Sequence, residues 1–247
     1  MRPVLRDVTL VAVTSVALSA TVAALHASML QAEFGQILLL SDEPPPPNAD
    51  PAIAWRRIDR LGSRVDYSRF MLRNLSQHLA TNHALCVQWD GFVLDGSAWD
   101  PHFLDYDYIG AIWPQFRDGF NVGNGGFSLR SKRLLDACKN IPFDESQVED
   151  VLIGRIYRPQ LEQQGIRFAP EPMARRFAYE RTAPTGREFG FHGAFNLVRL
   201  LTSAESLDLF RRLDCGMLAR RERLEIFRWA LMHGQMRLAL QILKRLL

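Results

Sequence analysis

Hydrophobic positions follow two rhythms along this chain. From Val8 to Thr14 they are β-branched and nearly continuous, the pattern of a buried strand. After Ser15 the run becomes Ala-rich, and Val22, Leu25 and Met29 recur at helical spacing, which predicts a helix over about 18–32. Gln36 to Leu40 is apolar again and stops at Ser41-Asp42. Strand, helix and strand joined by short connections make a βαβ unit with a right-handed crossover.

The stretch from Val8 to Leu30 contains no Asp, Glu, Lys or Arg, so a hydropathy window would also read it as a membrane span or the apolar part of a signal peptide. Its β-branched first half, and Ser19, Thr21, His26 and Ser28 scattered through the second, favour strand, turn and amphipathic helix.

Further on, Glu43 to Asn48 with its four prolines is an extended loop, and Trp55 to Ile58 a short strand. Tyr67 to Ala80 places Phe70, Met71, Leu75 and Leu79 on one helical face. His83 to Gly91 reads as a buried strand ending abruptly at Asp90-Gly91. Asp105 to Ala111 is a short aromatic strand, Phe127 to Leu129 a strand with one buried face, and Ser131 to Cys138 a helix. Glu149 opens a helix expected to run to Gln164, where Gly165 ends it and Ile166 to Ala169 returns as a strand. From Ala204 to Leu247 the pattern is helical throughout, a surface for packing or partners.

At 247 residues the chain is long enough for one α/β domain and an appendage. Cys86, Cys138 and Cys215 are far apart in apolar or helical contexts, which fits buried thiols in a reducing compartment rather than a disulfide framework or a zinc site. The net charge of +3 is mild, and basic residues thicken towards the C-terminus (Arg211, Arg212, Arg220, Arg221, Arg223, Arg228). That is either a solvated helix face or a surface for a phosphate-bearing ligand or an anionic membrane. No basic tract or reading motif points to nucleic acid.

Candidate chemistry gathers where strands end. In sheets built from βαβ units, ligands sit beyond the carboxyl ends of the strands, which puts Thr14, Ser15, Ser41 and Asp42 at a pocket mouth, for turn chemistry or for nucleotide contact. Asp90 is a metal or sugar ligand or the start of a turn. Asn124-Gly125-Gly126 allows a tight turn with no side chain between backbone and ligand. Glu149 and Asp150 stand at a helix start, where carboxylates also simply favour the positive end of the dipole. Glycines flank His192 and expose its ring. Arg130 and Lys132 suit either a phosphate or the surface.

This order, an acid ending a strand, a glycine loop, an E-D pair and a late histidine, resembles the core of the GT-A class of nucleotide-sugar glycosyltransferases. More closely, Q-W-D-G-F, Y-D-Y-I-G-A-I-W-P, V-G-N-G-G-F-S-L-R-S, E-D-V and F-G-F-H-G resemble a bacterial family of glycosyltransferase-like domains of unknown function, over about residues 7–197. The resemblance implies a GT-A-like (Rossmann-like) α/β fold, a mixed sheet flanked by helices over residues 1–200, with a C-terminal α-helical appendage over 201–247. It implies a hexosyltransferase-like enzyme that moves a sugar from a nucleotide-sugar donor to a glycan, lipid-linked or other hydroxyl acceptor with inversion.

In that reading Asp150 is the catalytic base and Glu149 binds acceptor hydroxyls. Thr14, Ser15, Trp89, Asp90, Asn124, Gly125 and Gly126 line donor and acceptor; Tyr106, Tyr108 and Trp113 are aromatic candidates for sugar stacking or for the core. The D-x-D motif of GT-A enzymes holds a divalent cation on the donor diphosphate. Here Gln88-Trp89-Asp90 keeps only the last carboxylate, so Mn²⁺ or Mg²⁺ would rest on Asp90, His192, water and the diphosphate, and the imidazole favours Mn²⁺. The resemblance implies polysaccharide or lipopolysaccharide biosynthesis as the setting; the cysteines and the strand–helix reading of residues 8–30 fit a bacterial cytoplasmic enzyme, with the basic tail as a surface for peripheral rest on the inner membrane. Two rival readings are a GT-A-like module that binds a sugar or partner without catalysis, favoured by the missing first Asp, and a scaffold anchored by residues 8–30.

Overall fold

The computed structural model describes residues 2–246, leaving aside the side chain of Cys215. The chain divides into two compact units, Met1–Phe191 and His192–Leu247.

The first unit is built on a six-stranded sheet. Its first half is the expected βαβ unit: β1 (Val4–Thr14), α1 (Leu18–Gln31) and β2 (Glu33–Ser41). β3 (Ala54–Arg57) extends it, α2 (Arg64–Arg73) follows, and β4 (His83–Val87) returns to the centre. β5 (Tyr108–Ile109) and β6 (Phe127–Ser131) complete the order β3-β2-β1-β4-β6-β5. β1 is parallel to both β2 and β4, whereas β6 runs antiparallel to β4 and β5. This is a mixed α/β sheet flanked by helices, as expected.

The continuous apolar run of β1 has a direct physical cause. Leu10 and Ala12 enter one core cluster with Leu25, Leu39 and Leu85. Val11 and Val13 enter another with Leu38, Leu40, Met71 and Cys86. Alternate residues of a strand point to opposite faces, so both faces of the central strands are covered.

Several expectations change: the strand expected over Asp105–Ala111 shortens to β5, and the one expected to reach Gly91 ends at Val87. β6 was expected to bury one face, yet all five of its residues are buried, Arg130 among them. The helix expected from Tyr67 to Ala80 starts earlier, where the Ser63 hydroxyl accepts the Asp66 N–H at 3.1 Å, and gives way after Arg73 to a 3₁₀ turn over Leu75–His78. The long helix from Glu149 breaks into α4 (Glu149–Val151), a π-helical turn (Leu152–Ile156) and α5 (Arg158–Gln163). Pro159 supplies no N–H and tolerates only a first turn, so a new helix begins there. The strand expected at Ile166–Ala169 shrinks to one bridge, Phe168 to Tyr108.

α3 (Lys132–Cys138) follows β6 as expected, and α6 (Glu171–Phe177) leads into β7 (Ala178–Tyr179), which pairs in parallel with β8 (Gly190–Phe191). Cys86 and Cys138 are buried free thiols; the side chain of Cys215 lies outside the described residues. Residues 8–30 form most of β1 and α1, and among the described residues no helix is long and apolar enough to cross a membrane.

The second unit is helical: α7 (Ala194–Leu197), α8 (Ser203–Arg212), α9 (Arg220–Met232) and α10 (Met236–Leu243). α8 opens with a capping box between Thr202 and Glu205, and α10 packs on α8 and α9 with Leu238, Ala239 and Ile242 buried.

Candidate functional site

Strand direction assembles the site. β1 and β4 are parallel, with Ala12 opposite Val87, so both end at one edge of the sheet. β6 is antiparallel and starts at that same edge, with Phe127 opposite Val87. The turn after β4 and the glycine loop before β6 are thereby neighbours, at the position where ligands collect in sheets of this kind.

At the end of β1 the hydroxyls serve the backbone. Thr14 Oγ1 donates to the Val16 carbonyl and accepts the Val16 N–H at 3.0 Å, and Ser15 Oγ accepts the Leu61 N–H at 2.9 Å. After β4 the chain reverses at once, with the Gly91 N–H donating to the Gln88 carbonyl at 3.1 Å. Trp89 and Asp90 are the two central residues of this turn; Trp89 is half-buried, while Asp90 is only 6% exposed. Gln88, where a D-x-D motif has its first acid, donates from Nε2 to Tyr67 Oη at 2.9 Å.

The glycine loop is held by Asn124. Its Oδ1 accepts the N–H groups of Gly126 (2.7 Å) and Phe127 (2.8 Å), and its Nδ2 donates to Glu180 Oε2 at 3.1 Å. The Tyr108 hydroxyl bonds both backbone groups of Asn124 at 3.1 Å. Phe177 and Phe189 pack on Phe127, with centroids 5.2 and 6.1 Å away, and so anchor the chain on either side of Glu180. Gly125 permits a close approach: a Cβ there would lie 2.8 Å from Glu149 Oε1 and 3.5 Å from Asp150 Oδ2. What the missing side chain admits first is therefore the protein's own carboxylate pair.

Glu149 and Asp150 are adjacent in sequence and live in different surroundings. Glu149 is 3% exposed; its carboxylate accepts from Arg130 Nη2 at 3.1 Å, and its N–H donates to Ser68 Oγ at 3.2 Å. Arg130 is fully buried, donates from Nε to Ser128 Oγ at 3.0 Å, and holds its guanidinium 5.6 Å from the centre of the Tyr108 ring. Its Nη1 is buried with no hydrogen-bond partner. Asp150 keeps partial solvent access and accepts the Val151 N–H at 2.8 Å. Burial pushes its carboxyl up, the charge of Glu149 adds to this, Arg130 opposes it and Glu180 contributes least, bringing the pKa to about 7. Burial, followed by the Glu149 charge, likewise raises the Tyr67 phenol. One carboxylate is thus locked to a cation and its neighbour titrates near neutrality, the division of labour that suits proton transfer.

The edge and loop together gather Asn124, Gly125, Glu149 and Asp150, with Asp90 and Trp89 in the adjoining turn. His192 belongs to the second unit, where its carbonyl accepts from Asn196 Nδ2 at 2.8 Å. Among the described residues no three His, Cys, Asp or Glu side chains stand together as a metal site. Tyr108 and Trp113 are core residues rather than sugar platforms. The expectation that Arg130 reaches a phosphate or the surface is overturned by its complete burial against Glu149. Sequence reasoning passed over Glu180 and Tyr67. Period-two alternation in F-S-L-R-S did separate Arg130 from Phe127 and Leu129, but nothing local marked Glu180, which arrives through a distant segment.

Residues 54–192, more than half of the chain, match the family described as "Protein of unknown function (DUF5672)", and the chain belongs to that family. No curated protein matches it. Among solved structures it is similar to a mannosyltransferase from Pyrobaculum calidifontis in complex with GDP-Man and Mn²⁺, at 10% identity and TM-score 0.46 over 68% of this chain and 55% of that one. It is similar to the apo form of the glycosyltransferase GlyE of Streptococcus pneumoniae, at 12% identity and TM-score 0.44 over 75% and 54%. It is also similar to a glycosyltransferase involved in glycosylation of the major capsid of PBCV-1, at 12% identity and TM-score 0.47 over 76% and 92%. The chain spans about half the length of the first two.

Proposed function

We propose that this member of the DUF5672 family is a GT-A-like, nucleotide-sugar-dependent glycosyltransferase that transfers a sugar, with inversion, to a hydroxyl of a glycan or lipid-linked acceptor. The observation that carries the reading is the Glu149–Asp150 pair beneath Gly125 at the ligand-binding edge of the sheet, one member neutralised by Arg130 and the other brought to a pKa of about 7.

In the reaction the acceptor oxygen bonds to the anomeric carbon as the bond from that carbon to the donor diphosphate breaks, and Asp150 takes the hydroxyl proton. A base titrating near the working pH couples sufficient ionisation to sufficient driving force. Glu149, turned inward onto Arg130, acts by charge rather than by contact with the acceptor. It holds the Asp150 proton affinity up and keeps Arg130 beneath the loop. Asn124 sets the loop that forms the floor of the site, and half-buried Trp89 offers a ring beside Asp90 for a sugar face. Thr14 and Ser15 spend their hydroxyls on loop closure, so their part in donor binding is to shape the backbone at the end of β1.

A divalent cation at Asp90 would neutralise charge on the departing diphosphate. Among the described residues no cluster of carboxylates or imidazoles forms a protein cage for one, so its ligands would come largely from the donor and water. The proposed setting, by the motif resemblance, is bacterial cell-surface polysaccharide assembly with the active site on the cytoplasmic side.

A second reading, a sugar- or partner-binding module without turnover, is favoured by Gln88, whose amide is committed to Tyr67. Binding comes first in testing either. The purified chain is melted with UDP-, GDP-, ADP- and dTDP-sugars, each with and without Mn²⁺. One donor at a hundred times its Kd adds about 2.7 kcal/mol and raises the midpoint by several degrees. A folded protein that shifts with none of them is not a transferase of this kind.

A further inference from the structure

The second unit carries a charge and an apolar surface that the transfer reaction does not use. Residues 192–247 hold ten Lys and Arg against five Asp and Glu, a net +5, while the remaining 191 residues are left at −2. From Ile226 to the end of the chain there is no acidic side chain. Exposed apolar side chains concentrate in the same place. Met232 is 75% exposed, Met236 55% and Leu240 54%, with Leu231 and Leu243 also open.

Helical geometry puts the two features side by side. On α10, Leu238, Ala239 and Ile242 face inward. The opposite face, at i, i+4 and i+8 from Met236, presents Met236, Leu240 and Lys244, with Arg237 and Leu243 on its flanks. Between α8 and α10 this face continues into a groove of about 490 Å³ lined by Arg211, Arg237, Lys244, Arg245, Gln241 and two leucines, with no carboxylate among them. Arg245 donates from Nη2 to the Arg211 carbonyl at 3.5 Å, which ties the end of α10 to α8 across the groove.

We propose that this face of the second unit docks on the surface of a bilayer containing anionic phospholipids, with Met236 and Leu240 entering the interface and Arg211, Arg237, Lys244 and Arg245 meeting lipid phosphates. A protein partner of acidic character would satisfy the cations but leave the methionine and leucine tips without a fluid apolar phase to enter. A bilayer supplies both, and the arrangement of apolar face and basic margin is that of an interfacial helix. Each cation near an anionic surface strengthens partitioning about fivefold.

The experiment is co-sedimentation of the full chain with vesicles of phosphatidylcholine alone and of phosphatidylcholine mixed with phosphatidylglycerol, at low and high salt. The expected result is pelleting with the mixed vesicles only, weakened by salt. Arg237→Glu combined with Lys244→Glu should cut it roughly 25-fold or more, and Met236→Ser with Leu240→Ser should weaken it at unchanged charge. All four positions are exposed, so melting temperatures should hold and report that the variants fold. Equal pelleting with both vesicle types, no pelleting with either, or pelleting unaffected by the charge reversals overturns the proposal. So does light scattering that shows a dimer abolished by the Met236→Ser, Leu240→Ser variant, which would assign the face to a second copy of the chain.

Discussion

Asp150 is the residue on which the chemistry turns, and its environment makes two linked predictions. The folded state holds the carboxyl proton up to a pKa of about 7, above the ordinary carboxylate value near 3.8. Between these values the folded chain binds more protons than the unfolded one, so this group makes stability fall as pH rises from about 4 to 7. Asp150→Asn removes that loss and should melt several degrees higher than the native protein at pH 8, by on the order of 1–3 kcal/mol, with little difference at pH 4. The same proton governs catalysis with the opposite sign, because a base must be ionised: kcat/KM should climb with pH and level off above about 7. A flat profile across pH 5 to 9 would remove Asp150 from the role.

Its neighbours should move that midpoint in opposite directions. Arg130→Met withdraws the opposing cation, so the midpoint rises; it also strands Glu149 as a buried charge, at a cost of about 3–5 kcal/mol. Glu149→Gln withdraws the like charge, so the midpoint falls. A stability loss in both variants with no movement of the pH profile would leave the Arg130–Glu149 pair a structural feature only.

At the scale of elements, the glycine loop and the broken helix are the parts that sequence and structure share unequally. Gly125→Ala would drive a Cβ to 2.8 Å from Glu149 Oε1. It should cost about 1–3 kcal/mol and lower kcat, read by melting and by turnover at saturating donor. The βαβ unit was legible because β1 and α1 carry uninterrupted periods of their own, and the strand-ending acid, the N-G-G turn and the E-D pair were legible as local motifs. The break after Val151 was written in Pro159 and Gly154, yet the apolar run V-L-I-G-R-I-Y outweighed them. In the structure Gly154 lets the Trp113 ring lie against the π-helical turn, where a Cβ would be 3.2 Å from it. The burial of β6 on both faces was not legible, because the carboxylate that receives Arg130 on its second face is Glu149 of α4, remote in sequence. Arg130 shows why: a strand arginine looks exposed until its buried partner, nineteen residues on, is in place.

For the whole molecule, charge is divided as sharply as the fold. The unit that carries the candidate chemistry is slightly acidic and the helical unit strongly basic, a contrast that an overall +3 conceals. The C-terminal thickening of arginines was visible in sequence, but not which of them would line a groove free of carboxylates: Arg212 and Arg221 are paired with Asp208 and Glu225, while among the described residues no side-chain carboxylate pairs with the groove cations. That information exists only once α8 and α10 are side by side.

The most direct test of the central claim separates binding from turnover at one atom. With the donor that shifts the melting point and a panel of glycan acceptors bearing free hydroxyls, nucleoside diphosphate release is measured for the native chain and for Asp150→Asn at pH 8. If Asp150 is the base of a transferase, the variant keeps the donor-induced shift and loses about 10²- to 10⁴-fold in release. Equal release from both proteins, or none from the native chain with any donor that binds, would contradict the assignment and leave a sugar-binding module in its place.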